Sequence, residues 1–597
     1  MLVTVNFIFL CILKTSEGEI PPISLNHNNH SLECIREIVN KYFSPFSELT
    51  FVDFHGDDHE IVKALNSIPV VMRTVLTQMS VPDESYLIVA EESTHIINDI
   101  PFLVKQASWN PHAKFLITTK NSNKDDLKEI FDTLLEYHII DVLVMDADYD
   151  PNLYTYNPFE NHGCGKQYDR IIEFGKCSSS RSINLYPDKL ITGLRRCQFQ
   201  VVAPHWPPYT IDTSKTKETN VGVEEFILRQ ISILEHKREH FSINFTYNDD
   251  AEKFTMITND MSAVGPLYLL QEREADAIMG GMVLTHPRAK AFSYVYGHLS
   301  FTEDVRFQVK KSSIVPSWKN LYLEFHAIVW TVFGFTFLTY SLIFIILVKP
   351  KDKGQVVLKM FEWLFLSGRA MRGNSFTKYL WIAWVIFAYL INTYYQSSLV
   401  SLTNNPPVEY QISDEKEFNT YRIKPCVSSA MRDYLYSVES IVLEENRRGG
   451  CEKLLESINT VSESDDMYTV VLYSIYRYHM LRFFDNWGES MVYTLNRPLS
   501  KAVYAIYFYK GFPMTAKLRL HALRMRENGL IEHYLSNMHW KNNRNYRFYD
   551  KPIYLHLIVP WYFLVGGYLL STGVFILEIL IKKRSARKLT FIVNNIE

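Results

Sequence analysis

The residue types that most often carry catalysis or metal binding occur in this 597-residue chain, but not in the spacings that such sites require. Its seven cysteines form no CxxC pair, and no HExxH motif is present, so the sequence predicts no metal site. No nucleophile, base and orienting group form a recognisable constellation. We therefore expect neither enzymatic activity nor a cofactor.

Charge and length narrow the possible functions further. The 62 Lys and Arg residues nearly balance the 65 Asp and Glu residues, which disfavours nucleic acid as a partner. A single hydrophobic core stops growing beyond roughly 250 to 300 residues, so several domains are expected. The remaining chemistry is that of binding and of membranes.

Three apolar stretches, 327–348, 379–401 and 553–581, dominate the sequence. Each is long enough to cross a hydrocarbon core of about 30 Å as a helix. Their basic flanks are Lys349, Lys351, Lys353, Lys378, Lys582, Lys583, Arg584, Arg587 and Lys588. Because basic residues concentrate on the cytosolic side, these flanks and the tail 582–597 are expected in the cytosol, with 19–326 and 401–552 outside the cell.

The N-terminus and two sequons agree with this orientation. Residues 1–18 are mostly apolar and end in small residues, which predicts a signal peptide; a short membrane anchor is the alternative. The sequons at Asn29 and Asn244 fall in the predicted extracellular parts, where they would be glycosylated.

The segment 355–374 lies between two cytosolic flanks and contains an apolar run that is too short to cross the membrane. It is predicted to re-enter and leave on the same side. Irregular backbone at membrane depth is tolerated where it lines a water-filled cavity, so this segment predicts a pore loop. An amphipathic helix on the inner membrane surface is the alternative.

The extracellular region 19–194 alternates strand-like and helix-like runs. The strand-like runs are 86–90, 114–118 and 140–145, and an amphipathic stretch covers 125–137, so we expect an α/β domain with parallel pairing. Residues 153–159 alternate like an edge strand. A disulfide among Cys164, Cys177 and Cys197, or from one of them to Cys34, is expected without an assigned pairing.

Residues 195–326 and 407–550 are two soluble segments that the first two spans and the pore loop separate. We expect them to form one α/β clamshell of two lobes. Closure of such a clamshell on a ligand can pull on the attached membrane helices, and this is a mechanical route to gating.

Several motifs, in order along the chain, resemble those of a known protein family. They are PPY at 207–209, ADAIMGGMVLTHPRAKAFS at 275–293, YYQSSLVSLT at 394–403, NGLI at 528–531 and Trp540. From about residue 197 to 581 the chain resembles the ionotropic glutamate receptors, and its YQSSL segment resembles their divergent insect chemosensory branch, the ionotropic receptors. The resemblance implies an extracellular N-terminal domain, a split clamshell, three membrane helices and a re-entrant pore loop.

The resemblance assigns ligand roles to matching positions. Arg288, with Thr285 before it, matches the arginine that grips a ligand carboxylate, for which a planar guanidinium is suited. The alternative is an ordinary surface arginine. Ser429 lies where lobe two receives a distal carboxylate, although serines in turns are more often structural.

The same resemblance argues against glutamate as the ligand. Tyr473 stands where the family holds the acid that binds the ligand ammonium, and Gly281 and Val283 replace two further amine contacts. We therefore expect a small organic ligand that is acidic or neutral.

The pore positions are also divergent. The resemblance places the pore tip at Arg369, Met371, Arg372 and Gly373 and the gate at Tyr394, Gln396, Ser397 and Leu399. A ring of arginines in a tetramer would hinder cation entry, so a homotetramer is expected to conduct poorly. The alternative is that both arginines reach cytosolic water or phosphate. In lobe two, Cys426 and Cys451 are candidates for a disulfide.

These observations predict a chemosensory ligand-gated cation channel subunit in the plasma membrane of a sensory neuron. It would tune a heterotetramer in which co-receptor subunits of the same family supply much of the conductance for monovalent cations and calcium. A non-conducting, membrane-tethered binding or modulatory subunit is the main alternative. A secondary transporter fits less well, because three spans without inverted repeats are atypical of that class.

Overall fold

The computed structural model describes residues 29–54, 59–74, 81–120, 122–147, 151–190, 194–215, 220–235, 241–248, 255–299, 302–316, 319, 322–323, 325–350, 353–365, 367, 374–404, 407–444, 449–544, 546–549 and 558–593. The chain divides into two compact units. The first comprises residues 1–304, 433–441 and 501–541, and the second comprises 305–432, 442–500 and 542–597.

The N-terminal part of the first unit is built on a seven-stranded sheet of order β2-β1-β3-β4-β5-β6-β7. Its strands are β1 (Leu49–Asp53), β2 (Val70–Arg73), β3 (Ser85–Val89), β4 (Lys114–Thr119), β5 (Val142–Asp146), β6 (Asn152–Tyr156) and β7 (Ile171–Lys176). Its helices are α1 (Asn29–Tyr42), α2 (His59–Ala64), α3 (Ser93–Val104) and α4 (Lys124–Glu136), with 3-10 turns at Glu160–His162 and Ser180–Ser182. Strands β1 to β5 are parallel, as the alternating pattern predicts.

Helices cover both faces of this sheet because its strands are apolar on both sides. Leu87 of β3 packs with residues of α1 and α2, whereas Tyr86 and Ile88 pack with residues of α3 and α4. Asn123 caps α4, accepting from the Asp126 N–H at 2.9 Å while the Asp126 carboxylate accepts from the Asn123 N–H. The N-terminal domain is therefore a three-layer α/β/α structure.

Strand β6 is not an edge strand. It pairs with β5 on one side and with the antiparallel β7 on the other. The alternation in 153–159 reflects the antiparallel end of the sheet, but the sheet continues by one strand that local patterning does not indicate. Disulfides join Cys34 to Cys177 and Cys164 to Cys197.

Lobe one, the remainder of the first unit, has a five-stranded sheet of order β13-β19-β12-β8-β9 and a two-stranded sheet of β10 and β11. The strands are β8 (Gln198–Ala203), β9 (Ser242–Tyr247), β10 (Met256–Ile257), β11 (Ala263–Val264), β12 (Ala277–Ile278), β13 (Ser293–Tyr296) and β19 (Ala505–Phe508). The helices are α5 (Val223–Glu235), α6 (Tyr268–Gln271), α7 (His286–Ala291), α15 (Thr515–Glu527) and α16 (Leu530–Asn543).

The predicted boundaries between the lobes differ from the units of the structure. Residues 501–541 fall in the predicted lobe two, yet they belong to the first unit, where β19 pairs with both β12 and β13. Pairing between strands more than 200 residues apart has no local sequence signal. Lobe one is thus assembled from segments on both sides of the predicted membrane helices.

The N-terminal domain and lobe one contact each other within the first unit. Besides the Cys164–Cys197 disulfide, Lys166 forms an ion pair with Asp276 at 3.2 Å. The ring of His138 stacks on Tyr509 at 4.2 Å between centroids. The N-terminal domain is therefore joined to lobe one covalently, electrostatically and by packing.

The second unit contains a sheet of order β15-β16-β14-β17. Its strands are β14 (Glu303–Lys310), β15 (Lys424–Pro425), β16 (Met467–Leu472) and β17 (Val492–Thr494), and β18 (Ser500–Ala502) follows them in the chain. The soluble helices are α11 (Glu417–Tyr421), the start of α12 (Ser429–Glu439), α13 (Leu454–Glu463) and α14 (Tyr473–His479), with a 3-10 turn at Met480–Phe483. Residues 433–439 of α12 belong to the first unit. Cys426 and Cys451 form a disulfide with Cα atoms 5.1 Å apart.

Four further helices lie in the second unit: α8 (Ala327–Val348), α9 (Lys353–Leu364), α10 (Ser375–Asn404) and α17 (Ile558–Val593). Among the described residues, two helical segments are long and apolar enough to cross a membrane, Ala327–Val348 and Trp561–Arg584. Helix α10 has 30 residues and would be about 45 Å long, but its second half carries amide and hydroxyl side chains. The third membrane span stays a prediction.

Candidate ligand-binding site and pore

The turn after β12 depends on glycine. Gly280 and Gly281 have φ values of 126° and 66°, in the left-handed region that favours glycine. A Cβ on Gly281 would collide with the ring of Tyr209, and one on Gly280 would collide with Pro204. This turn leads into Val283, Thr285 and α7, the part of lobe one to which the sequence assigns ligand contacts.

A buried carboxylate holds this turn in place. Oε2 of Glu224 accepts hydrogen bonds from the Gly280 and Gly281 N–H groups at 2.7 and 3.2 Å. Its Oε1 lies 2.9 Å from Nε2 of His298, and both side chains are fully buried. Glu224 is in the first turn of α5, where the helix dipole favours a negative charge. Sequence reasoning missed this pair, since its members are 74 residues apart.

Arg288 lies in α7 and is 2% exposed. Its Nε and Nη2 donate to the Thr255 carbonyl oxygen at 3.1 and 2.9 Å, and its Nη1 donates to the Val283 carbonyl oxygen at 3.0 Å. Burial lowers the pKa of Arg288. Arg288 is thus not a surface residue, and it joins α7 to two loops of lobe one. Its role as a carboxylate anchor stays a prediction.

Thr285 and Tyr507 lie next to this arginine. Thr285 is buried and precedes α7, and its carbonyl oxygen accepts from the Ala289 N–H at 2.9 Å. The Tyr507 hydroxyl donates to the Val283 carbonyl at 2.9 Å, and burial raises the pKa of Tyr507 to about 12. Two donors, from Arg288 and Tyr507, therefore converge on one backbone carbonyl.

In the second unit, the N-terminus of α12 has the properties of an anion site. Ser429 begins this 11-residue helix and is exposed, and its Oγ makes a long hydrogen bond of 3.4 Å to the Glu452 carbonyl. Ser428 is 3% exposed, and its Oγ has no hydrogen-bond partner among the residues that the structure describes. The Ser429 N–H donates to the Glu452 carbonyl at 3.2 Å. The positive end of the helix dipole attracts anions, and a buried hydroxyl adds a donor. Arg432 lies one turn further along α12.

Tyr473 follows β16 directly and begins α14. The guanidinium carbon of Arg306 lies 4.7 Å from the centre of the Tyr473 ring. This cation–π contact places a positive charge beside Tyr473, the residue to which the sequence resemblance assigns the position of the amine-binding acid. A ligand ammonium group would be repelled there. Arg306 is a residue that the sequence analysis did not single out.

Helices α8, α9 and α10 pack together around aromatic residues. Trp384 of α10 is fully buried, and its indole N–H donates to the Met360 carbonyl of α9 at 3.3 Å. Val356 and Met360 of α9 are buried in the same cluster as Phe344 of α8. Helix α9, which contains the first half of the predicted pore loop, is therefore held between the two neighbouring helices.

The predicted gate residues lie in the second half of α10. Tyr394, Gln396 and Ser397 are exposed and Leu399 is partly buried. The predicted pore-tip residues Arg369, Met371, Arg372 and Gly373, like the predicted signal peptide 1–18, lie outside the described residues.

The two sequons lie in the first unit. Asn29 begins α1, and Asn244 is exposed on β9, where its amide donates to the Gln200 side chain at 2.8 Å. Glycosylation of either residue stays a prediction.

Comparison with known proteins gives one finding. A family model described as "Putative ionotropic receptor, ligand binding domain" matches residues 61–192. No curated protein matches the chain at a significant level. The matched region runs from α2 to the segment before β8, so it lies in the N-terminal domain and not in the clamshell that the sequence predicts. Ionotropic receptors are receptors and channels rather than enzymes, and the match supports an ionotropic receptor family for this chain.

Proposed function

We propose that this chain is a chemosensory ligand-gated cation channel subunit that tunes a heteromeric receptor. The observation that carries the proposal is the interleaving of the two units along the chain. Strand β19 completes the lobe-one sheet after the chain has passed through α8, α9, α10 and the sheet of the second unit. A ligand-dependent movement of either unit would then act on membrane helices through continuous backbone.

The ligand of the clamshell is proposed to be a small acidic or neutral organic molecule. The N-terminus of α12, with a Ser428 hydroxyl that has no partner among the described residues, favours an anionic group. The Arg306 guanidinium on Tyr473 disfavours an ammonium group. Arg288 would contribute only if a ligand replaced one of its backbone carbonyl partners, so it is a weaker candidate for the anchor than the sequence alone suggests.

The conducting part is proposed to be formed by α9, the segment that follows it, and α10. The packing of α9 between α8 and α10 is the support for a re-entrant element, because an amphipathic helix lying on the inner membrane surface has no need of such contacts. Assembly as a tetramer with co-receptor subunits would bring four such elements together around a pore. The extracellular placement of the N-terminal domain and of the soluble segments of both lobes, together with a cytosolic tail, belongs to the same proposal.

A non-conducting modulatory subunit is the second candidate. The arginines at the predicted pore tip and the divergent gate sequence favour it, since a cationic ring opposes cation entry. Both candidates bind a ligand in the clamshell. They differ in whether this chain contributes to the ion pathway.

The test is co-expression with candidate co-receptor subunits while organic acids, amides and amines are screened for current. A ligand-dependent current whose reversal potential or block changes in Arg369→Gln and Arg372→Gln variants supports a conducting subunit. Current that is unchanged in both variants supports the modulatory one. Absence of any ligand-dependent current, with the chain present at the cell surface, contradicts both candidates.

The ligand site is tested on the same cells. Ser428→Ala should raise the half-maximal concentration of an acidic ligand by about ten- to a hundred-fold, since one hydrogen bond to a charged group contributes about 1.5 to 3 kcal/mol. Ser437→Ala, near the other end of the same helix, is the matched control and should have no effect. Arg288→Lys tests the anchor. If it leaves the half-maximal concentration unchanged at normal surface expression, Arg288 acts through structure alone.

A further inference from the structure

A cleft in the N-terminal domain has the size of a small-molecule site. It lies between α4, strands β6 and β7, and the segment 166–170, and has a volume of about 700 Å³. Small-molecule sites typically measure roughly 300 to 1,000 Å³. The cleft belongs entirely to the first unit, so it is separate from the α12 site of the second unit.

The walls combine aromatic and apolar surface. Tyr168 is held by a hydrogen bond from its hydroxyl to Asp132 at 2.8 Å and by an edge contact with the Tyr156 ring at 5.2 Å. Leu127 and Ile171 lie on the same lining. A ring of fixed orientation beside aliphatic side chains favours a flat, apolar ligand body.

The lysines of α4 favour a ligand with an anionic group at that wall of the cleft. Four basic and three acidic side chains line the cleft. Lys166 and Arg170 are ion-paired, with Asp276 and Glu160, whereas Asp132 and Asp169 accept hydrogen bonds from neutral groups. The side-chain ammonium groups of Lys124 and Lys128, four residues apart on one face of α4, have no ion-pair or hydrogen-bond partner within the described part of the chain.

The cleft is also held in shape by lobe one. Lys166, on its lining, pairs with Asp276, whose carboxylate accepts from the Gln200 N–H at 2.9 Å. Two residues before Lys166, Cys164 is bonded to Cys197. The wall formed by this segment is therefore fixed by one covalent bond and one ion pair. A preformed wall lowers the entropic cost of binding.

We propose that this cleft is a second ligand site that binds small aromatic carboxylates, with Lys124 and Lys128 contacting the carboxylate and Tyr168 contacting the ring. It is distinct from the clamshell ligand site proposed above. Glu173 provides an acceptor for a hydroxyl group on the ring. Occupancy of this site would let the N-terminal domain report a ligand independently of the clamshell.

The test is calorimetric titration of the full-length protein in lipid nanodiscs with 4-hydroxyphenylacetate. The neutral 4-hydroxyphenylacetamide, which has the same shape, is the matched probe. Because the readout is heat of binding, it does not depend on whether the chain conducts, and failure here is distinguishable from failure of the proposed channel function. We expect the carboxylate to bind at least about ten-fold more tightly than the amide.

Variants then locate the site. The double variant Lys124→Gln, Lys128→Gln should lose at least about ten-fold in affinity for the carboxylate and little for the amide. The matched control Lys63→Gln, Lys105→Gln removes two exposed lysines elsewhere in the N-terminal domain and should bind like the wild type. Equal affinity for the two probes, wild-type affinity in the first double variant, or no heat from the carboxylate up to about 5 mM would each overturn the proposal.

Discussion

The buried carboxylate of Glu224, which accepts hydrogen bonds from the glycine turn, provides a prediction about local stability. Glu224→Ala would leave the Gly280 and Gly281 N–H groups and the His298 Nε2 without their common partner, in a fully buried position. Each unsatisfied buried donor costs about 1 to 3 kcal/mol, so a local destabilisation of about 4 kcal/mol is expected. Glu224→Gln keeps an oxygen that can accept from both N–H groups, and we expect a cost of about 1 kcal/mol.

The assay is native-state hydrogen exchange followed by mass spectrometry. In a chain with two units a global free energy of unfolding is not well defined, whereas local opening free energies are. The 4 kcal/mol loss corresponds to exchange that is faster by about three orders of magnitude in the peptide 277–284, and Glu224→Gln should accelerate it by about five-fold. The control is Glu274→Ala, which changes an exposed acid near the same strand.

Two results would refute this reasoning. One is equal exchange at 277–284 in Glu224→Ala and in Glu274→Ala. The other is a double-mutant cycle of Glu224 with His298 that shows no coupling energy, because two side chains 2.9 Å apart in a buried pair are expected to couple.

Three further predictions concern other parts of the chain. Gly222→Ala should lower surface expression strongly, because its Cβ would collide with the backbone carbonyl of Tyr209, whereas Gly334→Ala, with open space around it, should not. Burial lowers the pKa of His138 to about 3, below its unfolded value near 6.5. Its contribution to stability is therefore complete above pH 6.5 and is lost as the pH falls toward 3. At pH 5 the loss of stability is at most about 2 kcal/mol, and about 1 kcal/mol when partial exposure is allowed for. Faster hydrogen exchange at 505–512 at pH 5, after correction for intrinsic rates, that is absent in His138→Phe would agree with this. Cys426→Ser should weaken the second unit by about 2 to 4 kcal/mol, and a protease digest that shows equal resistance in this variant and the wild type would contradict it.

The elements of the N-terminal domain were predictable because local patterns specify them. The apolar runs at 86–90 and 114–118 correspond to β3 and β4, and the amphipathic stretch 125–137 corresponds to α4. Parallel strands that are buried on both faces produce continuous apolar runs, and a capped helix produces an equally clear start. Strand β7 was missed because its residues, at the end of the sheet, are partly buried or exposed without a two-residue alternation.

The candidate sites were less predictable because they depend on contacts between distant residues. The pairings Cys34–Cys177 and Cys164–Cys197 are two among several that the sequence allowed. The role of Arg288 as an anchor stays a prediction, and the surrounding carbonyl groups that occupy its guanidinium are visible only in three dimensions. The buried hydroxyl of Ser428 was likewise assigned no role, since its neighbour Ser429 matched the family pattern.

The surface of α17 connects the fold to the membrane proposal. Residues Trp561–Arg584 are apolar enough to span a bilayer, and none of the side chains in the span is buried against the remainder of the described chain. A soluble protein rarely exposes a continuous apolar surface of more than a few hundred Å², and a helix of 24 residues exposes much more. In the proposed receptor, lipid or neighbouring subunits would cover it. Both a conducting and a modulatory subunit could use either kind of cover. Crosslinking from α17 to a co-receptor would therefore support assembly with other subunits, whereas the current measurements on the Arg369 and Arg372 variants distinguish the channel from the modulatory alternative.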